Sequence, residues 1–363
     1  MNTVKRMAAL RERLGSEDVG AAIVTNVADI LYLTGWDGVF DTEPAHAAIV
    51  TDTVARLYTD SRYAEAAGAA ARAGEWQVSI AAEGVVADAC AAVEVALAPV
   101  LAFESTLIYR HYETLRSGYS GELKMARRWV GELRAIKEPT ELERISAAQE
   151  LTDAAFDHVR DGVLRPGATE REIALELEFW MRRHGSDGVA FDPIVASGPN
   201  SALPHAMPSD RPLAAGDLVV LDFGARVGGY CADMTRTVVI GKASARQREI
   251  YETVLAANLA GIAAVKPGRP GCDIDGAARS VIDAAGFGES FGHGLGHGVG
   301  LEVHELPGVG KRSTEPVPLG SVVTIEPGVY VPGFGGVRIE DLVVVEEAGA
   351  RVLTRSTKEL IEV

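Results

Sequence analysis

The chain has 363 residues, which exceeds the size of a usual single hydrophobic core and predicts two domains. Its composition is that of a globular protein, with 47% hydrophobic and 24% charged residues, and it has no apolar run long enough to span a membrane. The net charge of −16 disfavours nucleic acid and anionic membranes as partners and is compatible with a site for cations.

The N-terminal segment and the cysteines indicate a cytoplasmic protein. The segment MNTVKRMAALRERLG is charged and amphipathic and lacks the uninterrupted apolar stretch that a secretory signal requires. Three cysteines are scattered along the chain, which argues against a disulfide framework: Cys90, Cys231 and Cys272. We therefore expect the protein to reside in a reducing compartment.

Residues 1–127 are predicted to form a smaller α/β domain. Short apolar runs that are typical of strands alternate with alanine-rich helical stretches, for example at 21–25, 46–51 and 64–73. The boundary is placed near residue 128, which assigns residues 128–363 to the second domain.

A long helix is predicted to begin just after Pro139. Thr140 and Glu143 have the spacing of a capping box, in which two side chains bond the first free N–H groups of a helix. Apolar residues then recur on one face of the helix, at positions 145, 148, 155, 156 and 159.

The second domain contains a weak internal repeat. RPGATEREIALELEFWMRRHG (165–185) aligns with KPGRPGCDIDGAARSVIDAAG (266–286) at an offset of 101 residues. Each copy has a Pro-Gly turn, then an amphipathic helix, and is followed by β-rich sequence. The repeat predicts two related halves.

The first β-rich stretch, DLVVLDFGARVGGYCADMTRTVVIG, is predicted to be a hairpin that turns at Gly228 and Gly229. Asp222 and Asp233 are nearly equidistant from this turn and are expected to face each other across the two strands. Two like charges in that position destabilise a sheet unless a proton or a cation lies between them.

The segment GHGLGHGVGLEVHE (292–305) carries three histidines on a glycine-rich backbone. A helix is excluded because each interior glycine costs about 1 kcal/mol relative to alanine, so His293 and His297 are expected on a strand or loop. Such glycines mark a close approach to the backbone. The segment contains neither a dinucleotide-binding GxGxxG motif nor an HExxH zinc motif.

The second β-rich stretch, SVVTIEPGVYVPGFGGVRIEDLVVVEE, repeats the acidic pattern. Glu326 and Glu340 are symmetric about position 333 and are expected to be cross-strand partners. Two divalent cations would neutralise the four carboxylates of the two hairpins, and His297 would add one nitrogen ligand. A lone histidine is more often structural, and four others are interpreted in that way: His46, His111, His158 and His184.

Several motifs resemble, in order and spacing, those of the proline-specific pita-bread metallopeptidases, which are the Xaa-Pro aminopeptidases and the Xaa-Pro dipeptidases (prolidases). The motifs are SGPNSALPHA, LDFGA with CADMTRT, GHGLGHGVGLEVHE, TIEPGVY and GGVRIED. NVADILYLTGWDG and YTDSRYAEAA resemble the N-terminal domain of these enzymes and of creatinase. The resemblance covers the whole chain and implies an α+β protein. A creatinase-like α/β domain (1–127) would precede a pita-bread catalytic domain with a pseudo-twofold repeat (128–363).

The resemblance implies five metal ligands, which fall on Asp222, Asp233, His297, Glu326 and Glu340. Asp233 and Glu340 would bridge two metal ions. Asp222 would hold one ion, and His297 with Glu326 would hold the other. Four oxygen ligands and one nitrogen suit Mn²⁺, Co²⁺ or Zn²⁺, of which manganese is the first choice.

The resemblance also implies roles for four further residues. His205 and His304 would contact the substrate and stabilise the tetrahedral intermediate. His293 would line the pocket, and Arg338 would stabilise the site or meet the negative charge of the substrate. Two metal ions lower the pKa of a shared water, and the resulting hydroxide would attack the peptide bond before proline.

The sequence leaves three possible functions: an Xaa-Pro aminopeptidase, an Xaa-Pro dipeptidase and a non-catalytic peptide-binding protein. A dipeptidase must bind the free carboxylate of proline, and the segment between Glu326 and Arg338 contains no basic residue, which favours the aminopeptidase. The compact VPGFGGVRIED loop, however, also resembles that of microbial prolidases. A non-catalytic peptide-binding relative would have lost a ligand, and none is missing.

The resemblance further implies a homodimer in which the N-terminal domain narrows the active-site cleft, so that only short peptides with proline at the second position enter. Trp36, in LTGWDGVF, is the candidate for an exposed aromatic residue at the mouth of the site. Packing inside its own domain is the alternative.

Overall fold

The computed structural model describes residues 2–41, 43–72, 74–95 and 98–363, apart from the side chains of residues 94 and 95. The chain divides into two compact units, Met1–Arg134 and Ala135–Val363, which we call the N-terminal and C-terminal units. Within the described ranges, no helix combines the length and the apolar character that crossing a bilayer requires.

The N-terminal unit has helices packed against a mixed sheet with the strand order β4-β3-β2-β1-β5-β6. The central strands β1 and β2 are completely buried and antiparallel, whereas β1, β5 and β6 run parallel. The elements are α1 (Thr3–Ser16), β1 (Ala21–Val24), α2 (Val27–Thr34), β2 (His46–Thr51), β3 (Ala55–Thr59), α3 (Ala64–Ala71), β4 (Gln77–Ile80), α4 (Val85–Val95), β5 (Val100–Glu104), α5 (Tyr109–Gly118), β6 (Glu122–Ala126) and α6 (Trp129–Ala135).

Trp36 is buried within the N-terminal unit, with 9% of its surface exposed. Its ring stacks on Phe40 and meets the edge of Trp76, at centroid distances of 6.1 and 6.2 Å. The prediction of an exposed aromatic residue is therefore wrong, because the large apolar ring is stabilised more by packing against two aromatic neighbours than by exposure.

The C-terminal unit contains two related halves. The first half comprises α7 (Pro139–Gly162), α8 (Glu170–Arg183), β7 (Gly188–Val189), β8 (Ile194–Ser197), β9 (Leu218–Phe223), β10 (Ala225–Val227), β11 (Tyr230–Cys231) and β12 (Met234–Val239). The second half comprises α9 (Ala245–Ala264), α10 (Gly271–Ala284), β13 (Gly296–Gly298), β14 (Glu305–Val309), β15 (Val322–Ile325), β16 (Gly328–Val331), β17 (Gly335–Arg338), β18 (Asp341–Glu346), β19 (Gly349–Val352) and β20 (Ile361–Glu362).

Each half packs a helix pair on one sheet, and β20, from the end of the second half, joins the sheet of the first. In the first, α7 and α8 share an apolar core with β9 and β12, in the sheet β20-β12-β9-β8. In the second, α9 and α10 share a core with β15 and β18, in the sheet β14-β13-β15-β18-β19. The helices α8 and α10 each have 14 residues and begin at the offset that the repeat predicts, so the predicted internal duplication is confirmed.

The predicted long helix is α7, but its capping box differs from the predicted one. Pro139 is the first helical residue, and the box joins Glu138 with Glu141 instead of Thr140 with Glu143. Proline fits the first turn because its missing N–H has no helical partner there, so the cap lies immediately before it.

Candidate active site

Asp222 and Asp233 come from the first hairpin. Asp222 is the penultimate residue of β9, and its partner across the ladder is Thr235 of β12. The predicted pairing of Asp222 with Asp233 is therefore wrong, because Asp233 lies two positions before that partner. The turn residues Gly228 and Gly229 both have positive φ, 55° and 81°, and this two-residue turn fixes the register of the hairpin.

Glu326 and Glu340 come from the second hairpin. The ladders β15–β18 and β16–β17 share one register, with Ile325 opposite Asp341 and Gly328 opposite Arg338. In the short break between these ladders, Glu326 stands opposite Glu340, as the symmetry of the sequence predicts. The hairpin is thus paired on both sides of the two acids and holds them close together.

His297 is the central residue of β13, which lies between β14 and β15. A Cβ atom on Gly296 would lie 2.0 Å from the carbonyl oxygen of Thr324, and one on Gly298 would lie 2.1 Å from that of Leu306. The predicted extended conformation is confirmed. The close approach that requires glycine here is that of the neighbouring strands.

The structure brings the five predicted ligands together. Ligand atoms of Asp233, His297 and Glu340 lie within 4.8 Å of one another. The His297 Nε2 atom is 3.3 Å from Glu326 Oε1 and 3.6 Å from Asp233 Oδ2. Asp222 lines the same cavity, and its buried Oδ1 atom accepts no hydrogen bond from the described residues.

The charges in this cluster favour a bound cation. Burial raises the pKa of Asp222, while burial and the adjacent carboxylates raise the pKa values of Asp233 and Glu340 well above the usual range. Burial acts on Glu326 in the same direction, but the hydrogen bond and charge of His297 outweigh it and lower the pKa of Glu326 to about 2. Divalent cations would replace the protons that the buried acids otherwise need. Carboxylate oxygens and one imidazole nitrogen are suitable ligands for such cations.

Arg338 is held in place by four groups. Its Nη2 atom donates to the Asp222 carboxylate at 2.5 Å, and Nη1 donates to the Tyr330 hydroxyl at 2.8 Å. Nε donates to the Thr235 hydroxyl at 2.9 Å, and Nη1 also reaches the Pro204 carbonyl at 3.3 Å. The guanidinium is buried and already bonded. Its geometry therefore fits a role in stabilising the site better than a role in binding the negative charge of the substrate.

Neither Tyr330 nor Thr235 is predicted from the sequence to belong to the site. The Tyr330 hydroxyl lies 3.0 Å from His293 Nε2 and joins that histidine to the Arg338 network. Tyr330 stands in the motif TIEPGVY, where it follows Glu326 by four positions, so the motif contained a signal. Thr235 could not be identified because it depends on the register of the first hairpin.

The ligand cluster lines a cavity of about 440 Å³, which suits a small substrate. His205, His293 and His304 also line it, and the ring centroids of His304 and His297 are 4.3 Å apart. Among the described residues around the cavity, Arg338 is the only arginine or lysine. Much of the remaining wall is apolar and is formed by Phe191, Pro193, Ile194, Pro204, Met207 and Val303.

The chain is similar to known proteins in both of its units. Residues 143–347 match the model of metallopeptidase family M24, and residues 6–136 match that of the creatinase/prolidase N-terminal domain. An Xaa-Pro dipeptidase of Pyrococcus furiosus is 43% identical over 262 residues, which are 72% of this chain and 75% of that protein.

Solved structures extend this similarity to the whole fold. An Xaa-Pro dipeptidase from Bacillus anthracis superposes with a TM-score of 0.93 and 38% identity, covering 100% of both chains. An X-Pro aminopeptidase from Thermotoga maritima superposes with a TM-score of 0.84 and 35% identity, covering 98% of this chain and 100% of the other. The chain therefore belongs to metallopeptidase family M24 and is a peptidase of its proline-specific, pita-bread branch.

Proposed function

We propose that this protein is an Xaa-Pro dipeptidase that uses two divalent metal ions, with manganese as the first choice. The observation that carries the proposal is the buried cluster of four carboxylates and His297, in a chain that aligns over its full length with an Xaa-Pro dipeptidase. The proposed substrates are dipeptides with proline at the second position.

The comparisons favour the dipeptidase over the aminopeptidase, which the sequence alone favours. That preference rests on the absence of a basic residue between Glu326 and Arg338. The cavity, however, is lined by several segments, and His205 and His304 are available to meet a carboxylate. One loop is therefore too narrow a criterion for carboxylate binding.

The metal ions would be held by Asp222, Asp233, His297, Glu326 and Glu340. When bound, two such ions supply activation of a water molecule and polarisation of a carbonyl group. The protein contributes apolar side chains to the cavity wall and fixes the orientation of the ligands. Arg338 orients the Asp222 carboxylate through its Nη2 donor.

Two exposed histidines would act on the substrate directly. Both His205 and His304 line the cavity, and neither belongs to the ligand cluster. A neutral imidazole carries one N–H, which donates to the carbonyl oxygen as negative charge develops on it. The apolar wall receives the proline ring, which has no N–H to satisfy once it is in a peptide bond.

We also infer a cytoplasmic location. The three cysteines form no disulfide, and two of them, Cys90 and Cys231, are buried. Thiols in this state are typical of a reducing compartment.

The test compares Xaa-Pro dipeptides with Xaa-Pro-Xaa tripeptides in the presence of Mn²⁺. We expect a kcat/KM at least tenfold higher for the dipeptides, loss of activity after chelation and recovery when Mn²⁺ returns. A preference for the tripeptides would instead identify an aminopeptidase. Full activity of the chelated protein would refute the metal-dependent mechanism.

A further inference from the structure

A buried ion pair on α10 lies beside the glycine-rich segment that carries His293 and His297. Asp275 and Arg279 are four positions apart on this helix, and 1% and 8% of their surfaces are exposed. The guanidinium meets the carboxylate in a bidentate arrangement, with Nε–Oδ2 and Nη2–Oδ1 distances of 2.8 and 2.9 Å. This geometry gives a strong and well-oriented pair.

Both members of the pair also bond the backbone of the glycine-rich segment. Arg279 donates from Nη1 to the Phe291 carbonyl at 2.9 Å and from Nη2 to the His293 carbonyl at 2.8 Å. The Asp275 Oδ1 atom accepts the Leu295 N–H at 3.1 Å. The pair therefore holds three alternate backbone positions immediately before β13.

The restraint continues to the ligand cluster through Leu295. The carbonyl of Leu295 accepts the backbone N–H of Glu326 at 2.8 Å. Two residues further along the segment, the His297 N–H donates to Thr324 Oγ1 at 3.1 Å. A displacement of Leu295 would thus move two of the proposed metal ligands together.

This part of the chain needs an external restraint because glycine alternates with other residues in it. Glycine has more backbone freedom than any other residue, and it has no side chain that packing could immobilise. The guanidinium also lies over the Phe291 ring, 4.0 Å from its centroid, which fixes the start of the segment.

The first half of the C-terminal unit provides an internal comparison. At the repeat offset, α8 has Ala174 and Glu178 where α10 has Asp275 and Arg279. Ala174 is buried in the apolar core, and Glu178 forms an ion pair with Arg182 at a position that is about one-third exposed. A helix of equal length therefore packs on its sheet without a buried pair, so packing alone does not account for the pair on α10.

We propose that Asp275 and Arg279 are a positioning pair, which holds residues 291–298 in the conformation that metal binding and catalysis require. This inference rests on the proposed metal-dependent function of the same site. Asp275 and Arg279 do not line the cavity. They act through the backbone of His293 and Leu295.

The test uses Arg279→Lys and Arg279→Met, with Arg182→Met on α8 as the control for the loss of a helical ion pair. Lysine keeps the charge beside Asp275 but lacks the planar fork that reaches two carbonyl groups. We expect both Arg279 variants to exchange the backbone amides of residues 291–298 at least tenfold faster than the wild type. We also expect a 10–100-fold lower Mn²⁺ affinity, which is typical when a partner behind a metal ligand is lost.

The control should match the wild type in both measurements. If the Arg279→Lys variant retains wild-type amide exchange in this segment and wild-type Mn²⁺ affinity, the positioning role is refuted. If both variants fail to fold, amide exchange of the metal-free wild type is the test. A segment that the pair holds should stay protected from exchange without metal. Rapid exchange of residues 291–298 would refute the proposal. Failure of the wild type to cleave Xaa-Pro peptides would refute the proposed function while leaving these readouts unaffected.

Discussion

Thr235 links the two hairpins of the site through a single hydroxyl group. It donates to Glu340 Oε2 at 2.8 Å and accepts from Arg338 Nε at 2.9 Å. It also stands opposite Asp222 in the β9–β12 ladder. Because a hydroxyl has one hydrogen and two lone pairs, it can satisfy both neighbours at once. One small buried residue thereby holds both the Glu340 carboxylate and Arg338, and Arg338 in turn orients the Asp222 carboxylate.

Replacing His205 or His304 by alanine tests the division between ligands and substrate-contacting residues. We expect kcat for an Xaa-Pro dipeptide to fall by about 10²–10³-fold, the usual effect of removing one oxyanion donor. The metal content should stay unchanged because neither side chain belongs to the ligand cluster. Kinetics and elemental analysis of the purified variants provide the measurements.

His184→Ala is the matched control, since His184 is exposed at the end of α8 and its ring stacks on Trp180 outside the cavity. Its kcat should equal that of the wild type. Stoichiometric loss of metal from the His205 or His304 variant would show that the assigned roles are wrong.

At the level of elements, the two hairpins differ in how well the sequence predicts them. The second hairpin is symmetric about its loop, and Glu326 and Glu340 face each other as expected. In the first, the positions of the two aspartates suggest a register that the turn at Gly228 and Gly229 does not adopt. Turn geometry fixes a register, and equal spacing of acidic residues does not.

Only part of the site could be predicted from the sequence. The five proposed ligand positions follow from short motifs, each contained in a single segment of the sequence. The supporting contacts of Thr235, Asp275 and Arg279 depend on which helix and strand become neighbours, and a pattern along one segment does not contain that information. The same limit applies to Trp36, since local sequence does not show whether its aromatic neighbours bury it.

Gly296 offers a test of why β13 is rich in glycine. In Gly296→Ala, the new methyl group would collide with the Thr324 carbonyl, a backbone atom that cannot move aside easily. We expect the free energy of unfolding to fall by about 1–3 kcal/mol, the usual effect of overpacking. Denaturant unfolding of the metal-free protein measures this change.

Gly292→Ala is the control, because a methyl group there would meet no atom within 4 Å. Its unfolding free energy should stay within about 0.5 kcal/mol of the wild-type value. Equal destabilisation by the two substitutions would mean that backbone flexibility, and not the space between strands, explains the glycines.

At the level of the whole molecule, the duplicated halves of the C-terminal unit place their acids on equivalent hairpins. Each half buries an apolar core between a helix pair and a sheet. The hairpins β9–β12 and β15–β18 then bring two carboxylates each to one cavity. The cavity is therefore built from both halves, and neither half holds all five proposed ligands.

We expect the protein to be a homodimer, as the family resemblance implies. Light scattering coupled to size-exclusion chromatography should give twice the chain mass of 38.4 kDa. The mass should be independent of Mn²⁺, because the proposed ligands all lie within one unit of a single chain. A mass of one chain across the accessible concentration range would contradict this expectation.

Because the two halves both contribute to the site, its residues leave the ribosome at different times. Thr235 and Glu340, which share a hydrogen bond in the finished site, are 105 positions apart. The strand that carries His297 is synthesised before both of its neighbours, β14 and β15. Glu340 is the last of the five proposed ligands to be made. A nascent chain therefore cannot complete the proposed metal site until the second hairpin has been made.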